Sequence, residues 1–135
     1  MFIVVDANVL CAGLLAKGKT AELLFSPKIK PVAPERLFTE IENHRVELLE
    51  KSKLSKVEFD TLLALYKKYV KIVPEEDFKD MLKKANELLG EHVKDTAYVA
   101  LALQFNCPLW SKEKRLKAVD ELEVYDAEEL GERIG

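Results

Sequence analysis

The sequence predicts an α/β protein, a three-layer α/β/α sandwich with a mostly parallel sheet of four to five strands. Two observations predict this fold class. Short apolar segments alternate along the chain with longer segments of helical periodicity, an order typical of a parallel sheet covered by helices on both faces. The first short segment, Phe2–Val5, is apolar throughout. We expect the 135 residues to form a single domain, 1–135, whose core is large enough to fold without disulfides.

The first half of the chain contains two predicted strands and several helices. Pro34 suits the first turn of a helix, where the missing amide hydrogen is not needed, so a long helix is expected to begin there. After the first strand we expect, in order, a helix from about Val9 that breaks near Gly18, a helix over Ala21–Phe25 with Thr20 as its N-cap, a strand over Pro31–Ala33 and the long helix to about Lys51.

The second half contains three predicted strands, and its helix ends carry clear capping signals. Glu58 follows Ser55 by three residues, as in a capping box, Gly90 is a typical helix stop, and Asp126 can cap a last helix. We expect, in order, a helix after Ser52 or Ser55, a strand over Val70–Val73, a helix from Phe78 to Leu89, an apolar helix over Val93–Phe105, strands over Pro108–Trp110 and Glu123–Tyr125, and a helix from Ala127. The apolar face expected for the first of these helices consists of Val57, Leu62, Leu65, Tyr66 and Tyr69.

Composition and charge narrow the class of protein. With 48% hydrophobic and 33% charged residues, the chain is globular rather than disordered. It has no apolar run near the roughly 20 residues of a membrane-spanning helix, and its amino terminus does not resemble a secretory signal, so a cytoplasmic protein is expected. Cys11 and Cys107 lack the spacing of a zinc site and are expected to be buried free thiols. A net charge of −3 counts against a nucleic-acid binder without excluding one.

Acidic residues stand where a parallel sheet presents its functional groups. Asp6 directly follows the first strand, and Ser111 and Glu113 follow the fourth. Asp95 begins the apolar helix that leads into the fourth strand, and Glu40 lies near the start of the helix after the second. Because the carboxyl ends of parallel strands form the ligand crevice of such sheets, these groups converge if the first and fourth strands are neighbours.

Such a cluster favours a hard metal ion. Carboxylates that are forced together repel one another, and at least one pKa rises unless a cation neutralises them. Oxygen ligands without cysteine or histidine select Mg²⁺ or Mn²⁺. These ions can activate water and stabilise the displacement at a phosphodiester. The pattern is therefore the one that metal-dependent phosphodiester hydrolysis requires.

Four segments of the chain, in this order, resemble the motifs of the PIN-domain family, in particular its VapC-like, single-domain ribonucleases. The likeness runs from Phe2 to about Tyr125. The four segments are Val5-Asp6-Ala7-Asn8-Val9-Leu10, Leu37-Phe38-Thr39-Glu40-Ile41, Asp95 with the alanine- and leucine-rich helix to Ala102, and Leu109-Trp110-Ser111-Lys112-Glu113 with its continuation to Leu116.

The resemblance implies a PIN fold and a divalent-metal-dependent endoribonuclease that hydrolyses RNA. Asp6, Glu40 and Asp95 would be direct or water-mediated ligands of Mg²⁺ or Mn²⁺, Asn8 would support the Asp6 loop, and Ser111 would bond to the acidic cluster. Many small members are toxins of toxin–antitoxin pairs and are commonly dimeric. An antitoxin partner and a homodimer are therefore expected, and no membrane.

The fourth motif departs from the family pattern, because Glu113 stands where the family usually has aspartate. The extra methylene moves the carboxylate by about 1.5 Å, enough to replace direct coordination with a contact through water. Glu113 nevertheless stays among the candidate catalytic residues. Beside it, Lys112, Lys114 and Arg115 are expected to hold RNA phosphates by electrostatic attraction. Lys17 and Lys19, before the second helix, are similar candidates.

Other interpretations of these residues remain open. Asp6 could simply cap a helix, and the basic run 112–117 could be a solvated helix face. His44 lies one helical turn after Glu40 and could approach the site, although a surface histidine is the simpler interpretation. A phosphatase would need a second aspartate where this chain has Asn8, and the pattern of a receiver domain does not fit. The serious alternative is a catalytically weakened PIN module that binds RNA or a protein without cleavage, which Glu113 favours.

Overall fold

Five parallel strands form one sheet in a computed structural model that describes residues 1–15, 18–91 and 93–135. This confirms the predicted fold class. The strands lie in the order β3 (Lys71–Val73), β2 (Lys30–Pro34), β1 (Phe2–Val5), β4 (Leu109–Trp110) and β5 (Val124–Tyr125).

Helices pack against the sheet and against one another in two layers. The helix α7 (Thr96–Phe105) contacts β1, β2 and β4, and α6 (Leu82–Leu89) lies against α7. On α1 (Ala7–Leu15) lie four other helices, namely α2 (Lys19–Leu24), α3 (Arg36–Asn43), α4 (Arg45–Ser52) and α5 (Lys56–Tyr69). The last helix, α8 (Ala127–Ile134), contacts α2. Short 3₁₀ turns occupy Glu75–Asp77, Lys79–Met81, Val93–Asp95 and Lys114–Ala118.

The order of the strands places the first and fourth strands side by side. Val5 lies opposite Trp110 in the β1–β4 ladder, so Asp6 and Ser111, the next residues of the two strands, emerge together. From β1 the chain continues to β2 on one side, and it later returns to place β4 on the other side of β1. The carboxyl ends of β1 and β4 therefore form the topological switch point of the sheet. The inner residues of β1 and the middle of α7 are fully buried, because the strand is covered on both faces.

Three helix ends follow the capping signals of the sequence. Ser55 Oγ accepts a hydrogen bond from the amide of Glu58 at 3.1 Å, and the Glu58 carboxylate accepts one from the amide of Ser55 at 2.9 Å. Asp126 caps α8 in the same way. Gly90 ends α6 with a φ of 58°, a left-handed conformation that glycine adopts without strain. All three predictions are confirmed.

The long helix predicted from Pro34 to about Lys51 is wrong in two respects. Pro34 is the last residue of β2 and pairs with Val73 of β3. The helix itself is broken at His44, whose φ of −110° and ψ of 14° separate α3 from α4. The buried residues of α3, Leu37 and Ile41, and those of α4, Leu48 and Ser52, keep helical spacing across the break, so the sequence pattern does not reveal it.

The buried face of α5 is also different from the predicted one. Phe59, Leu63 and Tyr66, which lie three to four residues apart, form the buried stripe. Val57 is 75% exposed, Leu65 and Tyr69 are also exposed, and of the predicted face only Tyr66 is fully buried and Leu62 partly so. The helix carries two apolar stripes, and the sequence alone did not tell which one faces the core.

Several predicted helix starts shift. The first helix begins at Ala7 rather than Val9, and α2 begins at Lys19 without the predicted Thr20 cap. The predicted break near Gly18 includes residues 16 and 17, which lie outside the described residues. The helices expected from Phe78 and Val93 both begin with a 3₁₀ turn, and only their later parts, α6 and α7, are regular α-helix.

Two observations bear on the predictions from composition. Within the described ranges, no helix has the length and apolar character needed to cross a membrane. Cys11 and Cys107 are free, as predicted, but half-buried rather than buried. Burial raises the pKa of both thiols.

Candidate functional site

A cleft of about 250 Å³ lies at the carboxyl ends of β1 and β2, beside the start of α7. Four of the predicted site residues line it, namely Asp6, Asn8, Glu40 and Asp95. Arg36 and Tyr98, which the sequence analysis did not single out, line it as well. The fold therefore brings together side chains as far apart in the sequence as Asp6 and Tyr98.

Asp6 is a carboxylate buried by the fold and held by two hydrogen bonds. It is only 4% exposed. Its Oδ1 accepts a hydrogen bond from the amide of Val9 at 2.9 Å, and its Oδ2 accepts one from the Ser111 hydroxyl at 2.6 Å. Burial raises its pKa above the ordinary value, these two hydrogen bonds oppose the rise, and the charges of Asp95 and Glu113 add to it. The Asp6 side chain is thus held in one orientation, but its two hydrogen bonds do not fully offset the cost of burying its charge.

Ser111 connects the ends of the two central strands. It is buried at the end of β4, and its hydroxyl, which donates to Asp6, also accepts a hydrogen bond from the amide of Glu113 at 3.1 Å. This short chain of hydrogen bonds fixes where the backbone of Glu113 lies relative to Asp6. The hydrogen bonds that the structure describes for Asp6 come from Val9 and Ser111, while Asn8 is exposed at the edge of the cleft.

Asp95 presents a buried oxygen without a hydrogen-bond partner. It occupies the N-cap position of α7 without capping that helix through its side chain. Its Oδ2 is buried and accepts no hydrogen bond, and an Arg115 guanidinium nitrogen lies 3.7 Å away, beyond hydrogen-bonding distance. Burial raises the pKa of Asp95, and the charge of Glu113 contributes to the rise. An unsatisfied buried carboxylate oxygen is costly, so this position favours a cation.

Glu40 extends toward the cleft from α3 and is paired with an arginine on the same helix. Arg36 Nε donates to Glu40 Oε1 at 2.6 Å, a contact between residues one turn apart. Across the cleft, the hydroxyl of Tyr98 is buried and has no hydrogen-bond partner. Burial raises the pKa of Tyr98, and the negative charge of Glu40 raises it further.

The basic residues after β4 differ in their contacts. Arg115 forms ion pairs with Asp95 and with Glu113, at 3.7 Å and 3.8 Å. Lys112 and Lys114 are exposed. Of the two lysines proposed before the second helix, Lys19 lies against Gly131 of α8, and Lys17 falls outside the described residues.

A family model of the PIN domain matches residues 4–128 of the chain, nearly its whole length. The chain belongs to the PIN domain family. The predicted resemblance is thereby confirmed. PIN domains are generally nucleases, and they generally use divalent metal ions. A search of curated protein sequences gave no match.

The fold of this PIN domain is similar to that of a chain in a solved crystal structure. That structure is VapBC2 of Rickettsia felis bound to a DNA fragment from the promoter of its genes. The two chains share 13% sequence identity with a TM-score of 0.69, and the similarity covers 93% of this chain and 98% of the other. At this level of identity the likeness shows a shared fold.

Arg36 and Tyr98 of the PIN domain were missed by the sequence analysis, although their spacing carried a signal. Arg36 precedes Glu40 by four residues, and Tyr98 follows Asp95 by three, so each pair shares a helix face. His44, the histidine considered for the site, also lines the cleft, but its ring is largely exposed and its nearest described acid is Glu47 at 3.9 Å. The other histidine, at position 92, lies outside the described residues.

The oxygen-rich cleft of the PIN domain suits a hard divalent cation. Its ligand candidates are carboxylates, and the buried Asp95 Oδ2 has no hydrogen bond to satisfy it. In the parts of the chain that the structure describes, no three acidic, histidine or cysteine side chains are already close enough to hold a metal together. Arg36 and Arg115 instead pair with three of the carboxylates. The donor set therefore fits Mg²⁺ or Mn²⁺, provided that the carboxylates exchange their arginine partners for the cation.

Proposed function

We propose that this PIN domain is a divalent-metal-dependent endoribonuclease that hydrolyses RNA phosphodiester bonds in the cytoplasm. The observation that carries the proposal is the presence of two carboxylates in one cleft, one buried and one partly buried. Asp6 is buried, held in place and has a raised pKa, and the Oδ2 atom of the partly buried Asp95 is itself buried with no hydrogen bond. Two such groups repel each other in the absence of a cation. Because PIN domains are generally nucleases, we infer that these carboxylates serve a nuclease reaction.

In the proposed mechanism Asp6, Glu40 and Asp95 hold Mg²⁺ or Mn²⁺. When bound, the ion supplies positive charge to the phosphodiester and lowers the pKa of water. Ser111 keeps one oxygen of Asp6 directed by its hydrogen bond, so that the carboxylate enters the reaction already oriented. Lys112, Lys114 and Arg115 attract the RNA backbone, and this attraction weakens with salt.

Glu113 acts at a greater distance in this proposal. Its amide is fixed by Ser111, and its carboxylate pairs with Arg115 at 3.8 Å. With one methylene more than aspartate, it reaches the acidic cluster through a water molecule and helps to orient that water. Glu113→Asp is therefore expected to retain cleavage and to alter the preference between Mg²⁺ and Mn²⁺.

Cleavage of RNA by the purified protein tests the proposal. We expect cutting that requires Mg²⁺ or Mn²⁺, disappears in chelator and is lost in Asp6→Asn, which keeps the shape of the side chain but removes its charge. Asp120→Asn is the matched control, because Asp120 is exposed in the turn that precedes β5, at the opposite edge of the sheet. Cleavage that survives equally in Asp6→Asn would show that the activity does not belong to this site.

The alternative, a PIN module that binds RNA or a protein without cleavage, is favoured by two arginines, Arg36 in the cleft and Arg115 beside Asp95. Arg36 and Arg115 compensate three carboxylates without any metal. If this alternative holds, the protein retains RNA in a filter-binding assay with and without divalent ions, and the RNA recovered from the filter is uncut. Retention followed by ion-dependent cutting supports the nuclease instead.

We further propose an antitoxin partner and a homodimer. Many small members of this family resembling the chain are toxins with an antitoxin partner, and one structural neighbour is a chain of VapBC2. On this chain, Val57, Leu65 and Tyr69 leave an apolar stripe of α5 exposed, a surface suited to a second copy. Sedimentation of the wild-type chain is expected to give a dimer, and Leu65→Glu is expected to give a monomer.

A further inference from the structure

Tyr98 has a polar group for which the cleft provides no hydrogen bond. Its side chain is only 2% exposed, and its hydroxyl is buried without a partner. It lies one turn after Asp95 on α7 and lines the same cleft as Glu40. Buried hydroxyls are nearly always hydrogen-bonded, so this one calls for a partner that the metal-free arrangement does not supply.

Glu40 is the acceptor that this hydroxyl faces. Burial is the largest cause of the raised pKa of Tyr98, and the charges of Glu40 and Asp6 add to it. Of these two carboxylates, Glu40 also lies near enough to interact with the hydroxyl directly, although no well-formed hydrogen bond joins them. At present Glu40 is hydrogen-bonded to Arg36, whose side chain is half exposed at the rim of the cleft. Glu40 thus has a cationic partner at the rim and a neutral donor inside.

We propose that Tyr98 is a positioning residue for Glu40, donating a hydrogen bond to its carboxylate when Glu40 leaves Arg36 to hold the divalent cation. This inference rests on the proposed function. A phenol is suited to the task because its high pKa keeps the proton in place beside several carboxylates. Outer hydrogen-bond partners of this kind orient metal-binding side chains, and removing one typically weakens metal affinity by about tenfold or more.

Mn²⁺ titration of the full chain by calorimetry tests the inference with Tyr98→Phe. The matched control is Tyr66→Phe, which removes another buried hydroxyl. That hydroxyl lies outside the cleft and donates a hydrogen bond of 2.9 Å to the carbonyl oxygen of Gly13. We expect Tyr98→Phe to bind Mn²⁺ about tenfold more weakly than the wild type and Tyr66→Phe to bind it equally well.

Thermal unfolding in chelator separates positioning from a plain structural role. Without metal the Tyr98 hydroxyl makes no well-formed hydrogen bond, so its removal is expected to leave the midpoint unchanged or to raise it. Tyr66→Phe loses a buried hydrogen bond and is expected to lower the midpoint. A lower midpoint for Tyr98→Phe would overturn the inference, because it would mean that the hydroxyl already serves the metal-free fold.

Arg36→Gln tests the exchange of partners at Glu40. Because it removes the competing guanidinium, this variant is expected to bind Mn²⁺ more tightly than the wild type. Weaker binding would overturn the exchange. If the wild type binds Mn²⁺ but Tyr98→Phe binds it with the same affinity, the inference fails while the proposed nuclease stands. If the wild type does not bind Mn²⁺ at all, both fail.

Discussion

Replacing Ser111 with alanine removes the hydroxyl that donates to the buried carboxylate of Asp6 at 2.6 Å. A hydrogen bond to a charged group contributes about 1.5–3 kcal/mol, and a bond between neutral groups about 0.5–1.5 kcal/mol. The variant also removes the acceptor of the Glu113 amide, a smaller loss at a partly buried position. We therefore expect Ser111→Ala to lower the free energy of unfolding by about 2–4 kcal/mol at neutral pH.

A double-mutant cycle isolates the bond between Ser111 and Asp6. In the Asp6→Asn background the lost bond joins neutral groups, so Ser111→Ala is expected to cost about 1–1.5 kcal/mol less than in the wild type. The loss at the Glu113 amide occurs in both backgrounds and cancels. Urea unfolding of the four proteins in chelator, followed by circular dichroism, gives the coupling energy.

The cycle also has a defined pH dependence. The Ser111 bond lowers the pKa of Asp6, so it stabilises the charged form and the cost of Ser111→Ala is expected to grow as the pH rises and Asp6 ionises. Additive effects of the two substitutions, or a cost that does not change with pH, would refute the assignment of this bond as the support of a buried charge.

Three further predictions concern the titration of the site and the packing of the fold. Burial raises the pKa of Asp6 above 3.8, so the folded chain binds this proton more tightly than the unfolded chain. The stability that this proton provides is fully present below the pKa of Asp6 in the unfolded chain. It is lost as the pH rises through the higher pKa of Asp6 in the folded chain. Urea unfolding in chelator from about pH 4 to about pH 8 should therefore show Asp6→Asn gaining stability relative to the wild type, and saturating Mn²⁺ should reverse the trend. Gly13→Ala would place a Cβ 2.8 Å from both the Leu24 side chain and the Tyr66 hydroxyl. Overpacking costs about 1–3 kcal/mol against a helical gain of at most about 1 kcal/mol, so a lower urea midpoint is expected and an unchanged one would show that the contact relaxes freely. Ser55→Ala removes the capping box of α5 and should cost about 1 kcal/mol, whereas Ser55→Asp should retain most of the stability.

The architecture and the acidic residues could be predicted because both depend on local patterns. Apolar strands alternating with amphipathic helices define the fold class, and a carboxylate directly after a buried strand is conspicuous in any sequence. Asp6 follows from the second of these patterns, and Asp95 from its place at the start of an apolar helix. The sequence predicts that the acidic side chains converge only if β1 and β4 are neighbours. The structure shows that they are.

The features that the sequence did not reveal depend on tertiary contacts. The break at His44 and the choice of Phe59, Leu63 and Tyr66 as the buried stripe of α5 are decided by the surface against which each helix packs. The Arg36–Glu40 pair is visible as a helical spacing, but its place in the cleft is not. The same applies to the orphaned hydroxyl of Tyr98, since burial without a partner is a property of the folded chain.

The anomalous scattering of Mn²⁺ in a crystal of the wild-type chain tests most directly whether the carboxylates at this edge of the sheet share a divalent cation. We expect a single strong peak between Asp6 and Asp95, with Glu40 turned away from Arg36, and no peak in crystals of Asp6→Asn. A wild-type crystal saturated with Mn²⁺ that shows no peak there, and in which Arg36 and Arg115 still pair with the carboxylates, would contradict this expectation.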